Sequence, residues 1–282
     1  MTGKVWLITG GSSGIGLALS EYVLSQGDNV IATVRSLSKF SESLKAAGAK
    51  PLPLNLNGSD AEIRKAGEDA LKIYGRIDVL VNNAGYGVIA PIEELDLDEL
   101  RAQFQTNVFG ALALTQALLP SFRAQKSGHI LNVTSVAALV GFASWSAYNA
   151  SKAALESFSE ALSQEVAPYN VRVLIISPGY FSTQFFQASA QLTDDKKSKR
   201  QIGDVVKLSQ RVYEVVHGTG MAQHLVEGQG GKREWLRVPL GPDCGERLLQ
   251  KIASLEENVR AFEPIWRSTD VEPERPQFFP RG

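Results

Sequence analysis

A chain of 282 residues, 44% hydrophobic and 21% charged, is long enough to bury a large core and fits one large domain or two small ones. Its net charge of −1 gives no general attraction to nucleic acid or to an anionic membrane, so the expected partner is a small molecule. A single cysteine, Cys244, excludes an intramolecular disulfide, and the three scattered histidines, His129, His217 and His224, form no metal-ligand pattern and are expected to be structural.

The N-terminal "MTGKVWLITGG" has no room for a signal peptide's apolar core and cleavage site, and no apolar run in the chain is long enough to span a bilayer. The expected location is therefore the cytoplasm.

In chain order, "KVWLIT" predicts a first strand, and "TGGSSGIG" follows it directly. Gly10, Gly14 and Gly16 of that loop supply the positive φ of a tight strand-to-helix turn. They also leave amides unobstructed for a pyrophosphate at a helix N-terminus, the other reading being a glycine-rich turn without a ligand. The pattern predicts a helix over Ile15–Gln26 and a second strand at "NVIATV". At the end of that strand, where a free ribose hydroxyl calls for Asp or Glu, stand Val34 and Arg35. A guanidinium suits a 2′-phosphate, so Arg35 favours NADP over NAD, against the plain reading of an exposed loop arginine.

"AKPLPLNL" predicts the third strand, and Ser59 and Glu62 have the spacing of a capping box for a helix over Ser59–Tyr74. "IDVLVNN" is the fourth strand, Asp98 the expected cap of a helix running to Leu119, and "GHILNVTS" the fifth strand. The helix over Ser146–Val166 then carries Tyr148 and Lys152 four positions apart, on one face. Taken alone, that pair reads better as a surface lysine whose stem shields a ring. "VRVLIIS" is the sixth strand.

After Pro178 the alternation stops. The stretch from about 180 to 233, with "DDKKSKR" and "EGQGGKREW", reads as a helical lid inserted within a single domain spanning 1–282, and Gly228 to Gly231 as a flexible loop. "WLRVPL" restores a strand, and "ERLLQKIASLEENVRAFEPIW" has helical apolar spacing ahead of a Pro-rich, loosely held tail. The strands are nearly continuous in apolar residues, as they are when helices cover both faces. The fold expected is α/β, a doubly wound parallel sheet.

Six motifs, "TGGSSGIG" (9–16), "NNAG" (82–85), "TNVFG" (106–110), "NVTSVAA" (132–138), "YNASK" (148–152) and "PGYFST" (178–183), resemble the short-chain dehydrogenase/reductase family in order and spacing. The ending from "RVPLGPDCGERLL" onward is similar to the tail of an oxidoreductase branch of that family. The resemblance implies a Rossmann-like sheet of seven strands in the order 3-2-1-4-5-6-7, and nicotinamide-dependent carbonyl–alcohol chemistry.

Position by position, it implies that Tyr148 is the general acid/base and that Lys152 is its partner. It further implies that Ser135, thirteen residues earlier, bonds the substrate oxygen and that Asn107 holds a proton-relay water. The cofactor, NADP(H), is expected to meet Gly10, Ser12, Ser13, Gly14, Ile15 and Gly16 of the loop, with Arg35, Asn55 and Leu56 near the adenine end. Asn82, Ala84, Gly85, Asn107, Tyr148 and Lys152 follow, with Pro178, Gly179, Phe181 and Thr183 at the nicotinamide. Asn55 departs from the family's usual Asp, which implies weaker anchoring of the adenine amino group. Phe181, Phe185 and Phe186, with Trp145 and Tyr180, either line an apolar substrate pocket or pack against the sheet. A homodimer or homotetramer is implied, paired through the Tyr–Lys helix.

Tyrosine's reference pKa of about 10 is too high for rapid proton transfer near neutrality, and a single charge at roughly 4 Å is worth about 4 kcal/mol, or about three pKa units. Burial raises a phenol's pKa, so the ammonium, helped by an oxidised nicotinamide's charge, is expected to dominate. The function expected is NADP(H)-dependent interconversion of a carbonyl and a secondary alcohol on a moderately apolar small molecule. Its rivals are epimerisation, dehydration or imine reduction on the same scaffold, and a non-catalytic NADP-sensing regulator.

Overall fold

The computed structural model describes residues 3–181, 183, 185, 203–227 and 235–269. Seven strands form one parallel sheet: β1 (Val5–Ile8), β2 (Asn29–Val34), β3 (Lys50–Pro53), β4 (Val79–Asn82), β5 (Gly128–Val133), β6 (Val171–Pro178) and β7 (Arg237–Leu240). Their order is β3-β2-β1-β4-β5-β6-β7, as the family resemblance implies. The chain reverses direction across the sheet between β1 and β4, the switch point at whose carboxyl edge such sheets bind ligands.

Alternate residues of each strand feed two cores. On one face α1 (Gly14–Ser25) packs Leu19 and Val23 on Trp6, Ile8 and Val30. On the other, α3 (Asp60–Tyr74) and α5 (Gly110–Gln125) pack Ile63, Ala70, Leu114 and Phe122 on Leu7, Leu80 and Ile130. The short α2 (Glu42–Ala46) leads into β3, and α6 (Ser146–Val166), with the bounds the periodicity predicts, lies against β6. The Ser59–Glu62 capping box forms at the start of α3.

Three local expectations change. The cap of α4 (Leu97–Phe104) is Asp96, whose carboxylate accepts from the amides of Asp98 and Glu99, because the helix begins one residue before the aspartate predicted to cap it. The single helix expected to Leu119 is two, α4 and α5, joined by a π-helical turn over Gln105–Phe109 and running on to Gln125. Finally α7 (Val205–His217), which falls inside the predicted lid, is a layer helix: Leu208, Val212 and Val216 are buried in the core it shares with α1. Most of the rest of the 180–233 lid, including "DDKKSKR", Phe186 and Gly228 to Gly231, lies outside the described residues.

His217 stacks on Tyr213 at 4.1 Å and faces Asp28 at 3.0 Å, a packing role as expected. The chain continues through α8 (His224–Glu227) and β7 to α9 (Pro242–Ala261) and α10 (Glu263–Arg267). Among the described residues, no helix is long and apolar enough to cross a membrane, and no acid–histidine–cysteine cluster has metal-site geometry.

Candidate active site

The glycine loop leaves β1 with Gly10 at φ 68° and Gly14 at φ 55°, both in the left-handed region where a side chain would be strained. A Cβ on Gly16 would lie 2.3 Å from the Gly10 carbonyl, so α1 starts closer to β1 than any other residue allows. Ser12 and Ser13 are exposed and Ile15 half-buried. Ser13, the residue before α1, makes no side-chain cap bond, and the first turn contains no acid. The first amides of α1 are thus left for an anion, at the positive end of the helix dipole.

The end of β4 is tied to this loop by residues that motif reading passed over. Thr9 Oγ1 accepts from the amides of Asn83 and Ala84, and Asn83 Nδ2 donates to the Thr9 carbonyl at 2.8 Å. Asn82, expected at the cofactor, instead turns its amide into the sheet. Its Nδ2 donates to Thr115 Oγ1 and to Asn132 Oδ1, while Asn132 donates to Ser159, joining β4 and β5 to α5 and α6. Strand alternation separates the two asparagines: the last residue of β4 points inward and the next one is free to reach the loop.

Asn107 lies on the π-helical turn, buried. Its Nδ2 donates to the Tyr86 carbonyl and to Ser151 Oγ, and its Oδ1 accepts from the Tyr86 amide. Gln103 Oε1 takes the Val88 amide one turn earlier, so the two amides hold the loop after β4 over the site. A Cβ on Gly85 would lie 3.0 Å from Asn107 Oδ1 and 3.3 Å from Lys152 Nζ, a cradle that only glycine leaves open.

Tyr148 and Lys152 share the inner face of α6, both buried. Burial pushes the Tyr148 phenol up to about 12, and a hydrogen bond with the Ser135 hydroxyl pulls the other way. Lys152 Nζ donates to the Val133 carbonyl at 2.7 Å, 5.7 Å from the centre of the Tyr148 ring, and burial brings its ammonium down to about 8. In the protein alone burial outweighs the ammonium, and the lysine donates to β5 rather than to the phenol. Ser135 sits just past β5 in extended backbone, its Oγ accepting from the Ala137 amide.

An aromatic wall closes this corner. Trp145 meets Tyr148 edge-on at 5.6 Å and stacks on Phe185 at 6.3 Å, and Phe185 is 5.4 Å from Tyr148. A small cleft opens among Ser135, Phe142, Trp145, Gly179 and Tyr180. Tyr180 is held from α9, its amide donating to Asp243 Oδ2 at 3.0 Å and its ring lying beneath the Arg247 guanidinium at 5.9 Å. Asp243 and Arg247 lie in the "RVPLGPDCGERLL" tail whose family resemblance assigns them no role, and the Pro242 helix start hints at an N-terminal acid. A larger apolar cavity of about 300 Å³, lined by Leu174, Val215, Leu225 and Val238 among others, contains none of the expected site residues.

Beyond β6, Pro178 ends the strand, and Thr183 lies over the glycine loop, its Cβ 3.6 Å from where a Gly14 side chain would begin. Phe181, expected at the cofactor, buries its ring in the core against Gly203 and Gly241, which leaves only its backbone to face a ligand. Arg35 is exposed and pairs with no carboxylate among the described residues. Asn55 Oδ1 accepts from the Asn57 amide at 3.1 Å, so one of its two lone pairs already serves a turn, and Leu56 is buried. The bare α1 terminus, the Gly85 cradle and the uncommitted Arg35 fit an anionic dinucleotide.

A parallel sheet whose switch point joins such a loop to a Ser–Tyr–Lys corner, its tyrosine and lysine buried, has the architecture of nicotinamide-dependent oxidoreductases. The chain belongs to the short-chain dehydrogenase family, whose model matches residues 4–194. It is 34% identical over 274 residues to the oxidoreductase BOA17 of Botryotinia fuckeliana (strain B05.10), covering 95% of this chain and 98% of that one. A short-chain dehydrogenase structure from Streptomyces avermitilis superposes with a TM-score of 0.81 at 33% identity, covering 95% of this chain and 99% of the other. A short-chain dehydrogenase from Burkholderia cenocepacia J2315, in complex with NADP, has a TM-score of 0.70 at 26% identity, with 92% and 96% covered.

Proposed function

We propose that this oxidoreductase uses NADP(H) to interconvert a carbonyl and a secondary alcohol on a moderately apolar small molecule, with Tyr148 as general acid and base. The observation that carries this reading is the buried Tyr148 phenol, hydrogen-bonded to Ser135 and one helical turn from Lys152, at the carboxyl edge beside the bare α1 terminus.

Gly10 to Gly16, Ala84, Gly85, Lys152 and Thr183 would hold a dinucleotide, which when bound supplies or accepts the hydride. The Ser135 hydroxyl donates to the substrate oxygen and stabilises charge developing there. Tyr148 hands that oxygen its proton; burial keeps the phenol protonated in the protein alone, and the Ser135 hydrogen bond works against that upward shift. Asn107 and Gln103 act by holding the 85–88 loop, and through it the Lys152 side chain. Trp145, Phe185 and Tyr180 give the pocket an apolar lining that favours an uncharged substrate.

Arg35 supports the choice of NADP, as does the NADP complex of the Burkholderia relative. The free, buried Cys244 suits a reducing compartment, the cytoplasm.

Reduction of a panel of ketones, followed by nicotinamide absorbance with NADPH and with NADH, tests this directly. Turnover with NADPH is expected, with Tyr148→Phe losing roughly 10²–10⁴-fold. Arg35→Asp is expected to move the preference toward NADH by about tenfold or more. Cofactor binding with no turnover across the panel would make the chain a sensor instead, and an unchanged preference in Arg35→Asp would remove the argument for NADP.

A further inference from the structure

Past its first two turns α9 leaves the body of the protein. Asp243 and Cys244 are buried, and Arg247 lies over the Phe142 ring at 5.4 Å. Beyond them Leu249, Ile252, Leu255, Val259, Phe262, Ile265 and Trp266 are between 44% and 69% exposed. Singly exposed apolar residues are ordinary, but seven on one connected element are not. Together they present on the order of 800 Å² of apolar surface, as much as one partner contributes to a standard protein interface.

The order of these residues names the partner. With the half-buried Leu248 added at their head, Ile252, Leu255, Val259, Phe262 and Trp266 follow at intervals of 4, 3, 4, 3 and 4, the seam of a helix packed on a helix. The intervals read the same from either end. The stripe stays continuous across the α9–α10 junction, because the Trp266 indole donates to the Val259 carbonyl at 3.0 Å.

We propose that this stripe is an interface between two copies of the chain, laid antiparallel about a two-fold axis near Glu257. That axis sets Leu255 against Val259 of the second copy, Ile252 against Phe262, Leu248 against Trp266 and Leu249 against Ile265, so every apolar residue meets an apolar one. In the two outer layers of the seam, the large ring meets an aliphatic side chain. A two-fold contact requires such self-complementarity, and a foreign partner does not.

Charge points the same way. Residues 246–267 carry four acids, Glu246, Glu256, Glu257 and Glu263, and four bases, Arg247, Lys251, Arg260 and Arg267. Glu256 pairs with Arg260 and Glu263 with Arg267 within the helices, so two copies approach without net repulsion. A helix adapted to lie on a lipid surface is instead rich in lysine and arginine on its polar face. The interface is separate from the Tyr148 helix, and the proposal does not depend on the activity.

Light scattering on eluted protein at micromolar concentration tests it. The wild type is expected to assemble, and Leu255→Glu with Val259→Glu to halve its mass with unchanged circular dichroism, both positions being exposed. A register test supplements this: mixed Leu255→Cys and Val259→Cys chains should cross-link on mild oxidation, and neither alone should. A monomeric wild type, a mass unaffected by the two glutamates, or cross-linking of Leu255→Cys with itself would each overturn the proposal. So would flotation of the wild type with neutral phosphatidylcholine vesicles that the glutamates abolish, which would assign the stripe to lipid.

Discussion

At the scale of single residues, the buried lysine dictates a pH effect that can be worked out before any substrate is known. Lys152 has a folded-state pKa of about 8 against 10.5 for an ordinary lysine, so between those values the unfolded chain binds the extra proton. Stability from this group therefore rises as pH climbs through that window. Relative to Lys152→Met, the wild type should gain unfolding free energy from about pH 8 upward in urea titrations, and a difference independent of pH would refute the assignment. The Tyr148–Lys152 spacing and the glycines were legible in the sequence because they obey local geometry, four residues per helical face and positive φ at a turn. The directions of Asn82 and Phe181 were not, since a shift of one residue in a strand or turn moves a side chain from ligand to core.

Among the elements, the designs written in short-range sequence were the ones that could be read. Ser59 and Glu62 form their capping box, and Ser59→Ala should cost α3 about 1 kcal/mol in denaturant unfolding. The inter-element polar chain from Asn82 through Asn132 to Ser159 was invisible, because it joins residues 50 and 27 positions apart. Asn132→Ala should cost more, roughly 2–3 kcal/mol, by leaving a buried Asn82 amide donor without its acceptor and the Ser159 hydroxyl oxygen without its donor. The apolar residues of α7 have plain helical spacing, yet spacing does not say whether such a face closes over a pocket or onto a sheet. Contact with α1 decides that, and it lies far away in sequence.

For the molecule as a whole, strand positions and burial on both faces followed from the apolar runs along the chain, whereas the seven-strand order came from the family motifs. Order depends on which βαβ units turn back at the switch point, and no local pattern records it. Cys244 offers a reading of how firmly the whole is joined. Its thiol is fully buried, donates to the Ser177 carbonyl at 3.1 Å and is pushed by burial up to about 11, so it ties the first turn of α9 to β6. Labelling by a thiol reagent is expected to follow global unfolding, with the same urea midpoint as circular dichroism. Labelling that runs ahead of it would mean that α9 detaches on its own.

The widened turn at Gln105–Phe109 has a consequence for how this protein can vary through descent. A π turn holds one residue more than ordinary helical pitch needs, so in the gene it is equivalent to a one-codon insertion. Losing a codon there would restore the ordinary pitch while α4 and α5 kept their places, and the widened turn itself would be lost. That single event would move Asn107 off the widened turn from which its amide meets Tyr86, while Gln103, on α4, would keep the Val88 amide. The segment can accept changes of letter at its exposed Phe109, but its length is constrained, and a lineage that altered it would have to rebuild this rim of the cleft.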